Sequence, residues 1–194
     1  MNNHTYYSLR YGTIAIEELL KLAQKSNVTS LAVTDINNTS ACLDLVRLAP
    51  KYGIRVVIGV DFRNGSEQQY VMLAKNNSGF QHINAFLSQG LHRKAEFPKR
   101  APKLEDTYVI YPFASYDGKS LAEHEFLGVR LSDLNRLPFS KWNKRRDKLV
   151  VLQTVSFQNK RGFNTHRLLR AIDNNTLLSK LPKSEQGKEG DVMF

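Results

Sequence analysis

Short apolar runs alternate along the chain with segments whose apolar residues recur at helical spacing, and polar turn residues separate the two kinds. Ile16, Leu19, Leu20 and Ala23 repeat at three- and four-residue intervals and predict an amphipathic helix. Thr13 is placed to cap it, with Glu17 and Glu18 near its positive end and Lys21 and Lys25 toward the other. Residues 30–34 (SLAVT) read as a buried strand, and residues 37–40 carry turn and cap chemistry before a helix ending near Tyr52-Gly53. Residues 55–62 (RVVIGVDF) are a second strand, Asn64-Gly65 a hairpin turn, and residues 68–74 the strand that follows.

Further on, residues 77–89 predict a helix, and residues 91–103 a basic loop containing Pro98 and Pro102. Residues 108–111 and 126–129 are short strands with Asp117-Gly118 between them. Residues 149–155 (LVVLQTV) form the clearest late strand, and residues 164–173 a helix with Asn164 as its cap. After Pro182 the chain turns polar and is expected to fray. The organisation is thus one domain over residues 1–181 and a polar tail or linker over 182–194. Repeated strand–helix units imply an α/β domain with a largely parallel sheet or barrel. In such barrels chemistry sits after the strands' C-terminal ends, here after Ser8, Thr34, Val60, Ala74, Tyr111, Val129 and Val155.

Composition narrows the classes without choosing one. The 194 residues are 41% hydrophobic and 24% charged, ordinary for a globular domain with its own core. No apolar run approaches the roughly 20 residues that span a bilayer, and the first residues lack a signal peptide's basic and apolar regions. Cys42 is the only cysteine, which excludes an internal disulfide and cysteine-rich metal sites. A cytoplasmic protein with no membrane partner is the expectation. The formal net charge of +10 favours polyanions. The excess gathers over residues 91–103, over residues 141–148 and at Lys160-Arg161, where it serves equally as phosphate contact or as solvated surface.

Four blocks carry a family resemblance. They are residues 4–12 (HTYYSLRYG), residues 31–35 (LAVTD) with Asn38, residues 53–61 (GIRVVIGVD) and residues 71–80 (VMLAKNNSGF). Their order and spacing resemble the PHP (polymerase and histidinol phosphatase) family, in the version that begins the bacterial DNA polymerase III α subunits. The resemblance covers residues 2–90 well, returns more loosely over 148–180, and links 91–147 only by order. It implies a distorted (β/α)7 barrel, TIM-barrel-like. It also implies a cluster of His, Asp and Glu holding up to three divalent metals, which polarise a phosphate and activate water.

Matched position by position, much of that cluster is missing. Of two histidines expected in the first block, His4 fits the second and Asn2 stands at the first; Tyr11 stands for an acidic residue. Asp35 fits, but Ile36 replaces the histidine after it. Asp61 stands where glutamate is usual, Gln69 at another histidine position, and residues 153–156 (QTVS) where the family shows Asn-Asp-x-His. His4, Asp35 and Asp61 survive, each with a plainer role as a buried hydrogen-bonded histidine, a helix-capping or turn carboxylate and a polar strand end. His166 fits a histidine that polymerase members carry in the helix after the last strand, while His82, His92 and His124 read as structural or solvated. Cys42 falls within a predicted helix, and no Gly-x-Ser-x-Gly elbow or Walker loop occurs. No residue is therefore assigned as catalytic, cofactor-binding or metal-ligating, and no cofactor is expected.

The resemblance further implies that the domain is part of a longer DNA-directed DNA polymerase, a nucleotidyltransferase whose catalytic carboxylates lie in a palm outside this sequence. The domain alone would be inactive and would brace the polymerase core of the same parent chain. It would also dock the proofreading exonuclease subunit and bring its basic loops near DNA. Two alternatives stand beside this: a free-standing metal-dependent phosphoesterase of the same family, disfavoured by the lost ligands, and an independent nucleic-acid-binding module, favoured by the charge.

Overall fold

The computed structural model describes residues 2–118 and 120–192. Strand β1 (Asn2–Asn3) is followed by helix α1 (Ile16–Lys25), β2 (Ser30–Val33), α2 (Cys42–Leu48), β3 (Arg55–Asn64), β4 (Glu67–Ala74) and α3 (Asn77–Arg93). Then come β5 (Thr107–Pro112), β6 (Glu125–Val129), β7 (Leu149–Val151), β8 (Thr154–Val155) and α4 (Lys160–Asp173).

The predicted elements form with shifted ends, each shift having a local cause. Helix α1 begins after Ala15, whose N–H donates to Glu18 Oε2 at 3.3 Å. Thr13 does not cap it: its N–H and hydroxyl both turn to the Ser156 carbonyl, tying the loop to the last strand. Helix α2 gives way to a 3-10 turn at Pro50, and Gly53 ends that turn at φ 68°, a conformation that costs glycine little. Asn76 caps α3, which runs on to Arg93, so the predicted basic loop starts three residues late. Helix α4 starts at Lys160 because Asn159, not Asn164, accepts the Gly162 N–H at 3.1 Å.

The sheet order is β7-β6-β5-β4-β3-β2-β1-β8. Neighbours are parallel except at β4, which runs antiparallel to both β3 and β5. The predicted single strand over residues 149–155 is two: β7 pairs with β6 and β8 pairs with β1, at opposite ends of that order. Only Leu152 and Gln153 separate them, and two residues reach about 7 Å at most. The two edges must therefore lie side by side. The Leu152 N–H donates to Val129 O on one flank and the Asn2 N–H to Gln153 O on the other. The segment closes the sheet into a distorted barrel, and counted as one strand it makes seven. Because β4 is reversed, its C-terminal Ala74 lies at the opposite end from the expected site, and its N-terminal glutamines take that place.

Two apolar clusters support the barrel. One packs α1 and α2 on β2 through Leu19, Leu20, Leu31, Val33 and Leu45. The other packs α3 and Trp142 on β3–β6 through Phe62, Tyr70, Met72, Ile83, Tyr111 and Leu127. The polar tail, expected to fray, lies as a strap across the mouth. Arg170 Nε donates to Glu185 O at 2.7 Å, Arg167 Nε to Gln186 Oε1 at 3.0 Å, and the Gly187 N–H to His166 Nε2 at 2.7 Å. Ser66 Oγ adds a bond to Glu185 Oε1, and the Ser156 N–H one to Asp191 O.

Candidate functional site

The β1 backbone places His4 next to Ser156, since Asn3 pairs with Val155 and the His4 N–H donates to Val155 O. On the neighbouring side, Asp61 N donates to Asp35 O at 3.2 Å, so the two carboxylates leave adjacent strand ends. All three surviving candidates are therefore close together and buried. Their side chains nevertheless enter two separate networks.

Asp35 serves the loop after β1. Its Oδ1 accepts from the Thr5 N–H at 2.6 Å and Ser8 Oγ at 2.7 Å, and its Oδ2 from Thr5 Oγ1 at 2.8 Å. The Ile36 N–H donates in turn to Ser8 Oγ, and the Tyr7 N–H to Thr5 Oγ1. Gly12 presses against the Thr5 carbonyl, where a Cβ has no room. This is turn chemistry: one backbone N–H and two hydroxyls hold the carboxylate.

Asp61 centres the mouth. His4 Nε2 lies 3.0 Å from Asp61 Oδ2, and Asn2 Nδ2 donates to the same oxygen at 3.1 Å. Arg63 adds Nη2 at 2.8 Å and Nε at 3.1 Å, while Gln68 Nε2 donates to Oδ1 at 2.9 Å. Burial alone would raise the Asp61 carboxyl, but Arg63, and after it His4, outweigh burial and hold it well below the usual carboxylate range. Burial would likewise lower the Arg63 guanidinium, and Asp61 more than reverses that. Arg63 also lies over the Tyr11 ring at 4.9 Å. Tyr11 contacts His166 edge-on, and His166 Nδ1 lies 2.7 Å from Tyr11 O while Nε2 accepts from Gly187. Burial pushes His166 down to about 4, so the ring is neutral and Nδ1 carries the proton.

These donors do not fit a multinuclear metal centre. Both Asp35 oxygens are spent on the loop, and a permanent cation already occupies Asp61. Among the described residues no group of three or more His, Cys, Asp or Glu side chains converges as metal ligands. The other histidines lie away from the mouth: His82 Nδ1 meets Glu105 O, His92 lies in the last turn of α3, and His124 precedes β6. Cys42 begins α2, and burial pushes its thiol up to about 12, which makes it inert.

Arg63 and Gln68 escaped the residue-by-residue comparison. Strand alternation could have found Arg63, two positions from Asp61 and on the same face. Gln68 was hidden by a bulge. Phe62 pairs with Tyr70 but Arg63 with Gln68, so Gln69 is the extra residue and Gln68 turns inward instead. Arg130 Nη2 then holds Gln68 Oε1 at 2.7 Å. Beside this group a cleft of about 810 Å³ opens, lined by Arg63, Gln68, Arg130, Thr154, Arg167 and the strap.

The PHP domain family model matches residues 1–149, which takes in residues 91–147. DNA polymerase III subunit alpha of Ureaplasma parvum is 23% identical over 179 residues, covering 92% of this chain and 18% of that protein. The subunit of the same name from Staphylococcus epidermidis is 27% identical over 195 residues, covering 95% and 18%. That of Bacillus subtilis is 33% identical over 86 residues, covering 41% and 8%. This chain thus spans under a fifth of the length of these relatives. With the closed barrel, the reversed β4 and the convergence of His4, Asp35 and Asp61 at the mouth, these matches place the chain in the PHP domain family, related to the N-terminal PHP domain of DNA polymerase III α subunits.

Proposed function

We propose that this domain is a non-catalytic PHP domain acting in bacterial DNA replication, bracing a polymerase core and docking a proofreading exonuclease subunit. The observation that carries the non-catalytic part is Arg63 on Asp61: a side-chain cation satisfies the carboxylate that a phosphoesterase would commit to metal. The polymerase setting rests on the relatives' names, and the tail beyond residue 181 would lead toward that core. Its place would be the cytoplasm, and among the described residues no helix is long and apolar enough to cross a membrane.

The test of inactivity is a phosphatase and exonuclease assay with Mn²⁺, Zn²⁺ or Mg²⁺ added to the chelator-treated protein. No turnover above the protein-free control is expected. Metal-dependent turnover abolished by Asp61→Asn would overturn the reading in favour of a free-standing phosphoesterase. Scaffolding is tested by co-purification with a polymerase core and with an exonuclease subunit, and capture of neither defeats it. The +10 charge supports a second role near DNA. Phosphate-driven binding should weaken steeply with salt. Absence of salt-sensitive binding at low ionic strength removes that role.

A further inference from the structure

The same histidine that faces Asp61 on one side faces a serine on the other. His4 Nδ1 lies 2.9 Å from Ser156 Oγ and His4 Nε2 lies 3.0 Å from Asp61 Oδ2. The carboxylate can only accept, so Nε2 carries a proton, with Asn2 Nδ2 beside it at 3.2 Å, and in the neutral ring Nδ1 accepts the Ser156 hydroxyl hydrogen. This is the order of roles in a Ser-His-Asp triad, with the two ring nitrogens exchanged. Ser156 follows the C-terminal end of β8 and precedes α4. The N–H groups of Ser156 and Phe157 both point at one oxygen, the Asp191 carbonyl of the strap, at 2.9 and 3.5 Å. Two successive backbone donors on one carbonyl oxygen beside a serine are what an oxyanion hole requires.

We propose that Ser156 is a metal-independent nucleophile, served by His4 and Asp61, toward a small carboxylic ester whose carbonyl takes the place of the Asp191 carbonyl. The inference goes beyond the scaffold role and restricts its non-catalytic part to metal-dependent phosphoester chemistry, which the metal-addition assay tests separately. Ser156 Oγ bonds to the ester carbonyl carbon as its proton passes to His4 Nδ1, and the carbonyl oxygen takes the charge at the two N–H groups. The ester C–O bond then breaks, and His4 returns the proton to the departing alkoxide, which leaves as an alcohol. Water attacks the acyl-serine by the same proton route, releasing the carboxylic acid and restoring Ser156. Asp61 shares its charge with Arg63, which weakens the base and makes turnover slow. Ser156 is fully buried while the strap is seated, so access requires the strap to lift. Glu185 and Gln186 hold it down through Arg170, Ser66 and Arg167 and lie outside the triad.

The experiment treats the full chain, in chelator, with an alkyl fluorophosphonate probe and follows intact mass, with p-nitrophenyl acetate hydrolysis as the turnover readout. One adduct mapped to Ser156 is expected. It should form at least tenfold faster in Glu185→Ala/Gln186→Ala and at least tenfold slower in His4→Gln, and be absent from Ser156→Ala. Should Ser156→Ala fail to fold, His4→Gln carries the same test. No adduct at Ser156 in either the native chain or the strap-loosened variant overturns the proposal. So does labelling at Ser156 that His4→Gln leaves unchanged.

Discussion

Asp35 and Asp61 stand one backbone hydrogen bond apart, both buried at the same end of the barrel, yet they are held in opposite ways. Asp35 is satisfied by neutral donors alone: one peptide N–H and two hydroxyls. Asp61 is satisfied by a guanidinium, an imidazole and two amides. A carboxylate held by neutral dipoles orders the loop around it. One held by a fixed cation forms an ion pair whose halves cannot be removed singly without leaving a charge in the interior. The two carboxylates at the mouth are thus satisfied in two ways, one within a turn and one within an ion pair.

The largest effect should come from breaking the ion pair. Arg63→Met leaves Asp61 buried with only polar neighbours, and a loss of about 3–5 kcal/mol in unfolding free energy is expected by urea denaturation. The double variant Asp61→Leu/Arg63→Met removes both charges and should recover more than half of that loss. If the single and double variants lose equally, the pair is not the organising interaction and the contrast with Asp35 fails.

Next in size is a pH dependence that separates Asp61 from its surroundings. His166 is neutral in the fold with its pKa lowered from 6.5 to about 4. Above pH 6.5 its contribution is complete. As pH falls toward 4 the unfolded chain takes up a proton that the native state refuses, so stability declines, by on the order of 3 kcal/mol at pH 4. Asp61, whose folded pKa is depressed below 3.8, acts lower: its contribution is present above about pH 4 and is lost as pH falls through its folded value. Thermal melts from pH 7 down to 3 should show the His166 window and the onset of the Asp61 one. His166→Gln, which keeps a donor and an acceptor, should flatten the upper window and leave the lower one. An unchanged upper window would remove His166 as its source.

Much of the barrel was legible in the sequence because apolar runs at β2, β3 and β5 and helical spacing at α1 are local signals. Residues 149–155 read as one strand because LVVLQTV contains no glycine, proline or other turn residue to break it, and only closure decides which flank each half pairs with. The site was legible where a family block fixed a position, as at His4, Asp35 and Asp61. It was not legible where register decided: the bulge at Gln69 exchanges the roles of two identical neighbours, which no composition reveals. The strap escaped for a different reason. Its sequence is polar and lacks periodicity, and it is ordered by donors from Ser66, Ser156 and Arg170 and by an acceptor on His166, all outside it in the chain.

The smallest effects belong to the Asp35 network and sharpen the contrast from its side. Asp35→Ala leaves the Thr5 N–H and two hydroxyls without their acceptor, and a loss of about 2 kcal/mol is expected, since each bond to a charged group contributes about 1.5–3 kcal/mol and the hydroxyls can turn elsewhere. Ser8→Ala is milder, at about 1 kcal/mol, because Asp35 Oδ1 keeps the Thr5 N–H. It also takes the acceptor from the Ile36 N–H, so its effect should appear in hydrogen exchange as faster exchange at Ile36 while the Asp61 side stays protected. That selectivity is the finer test. If Ser8→Ala also speeds exchange at Asp61 and Arg63, the two carboxylates share one cooperative unit, and the separation between a turn and an ion pair is one of geometry but not of energy.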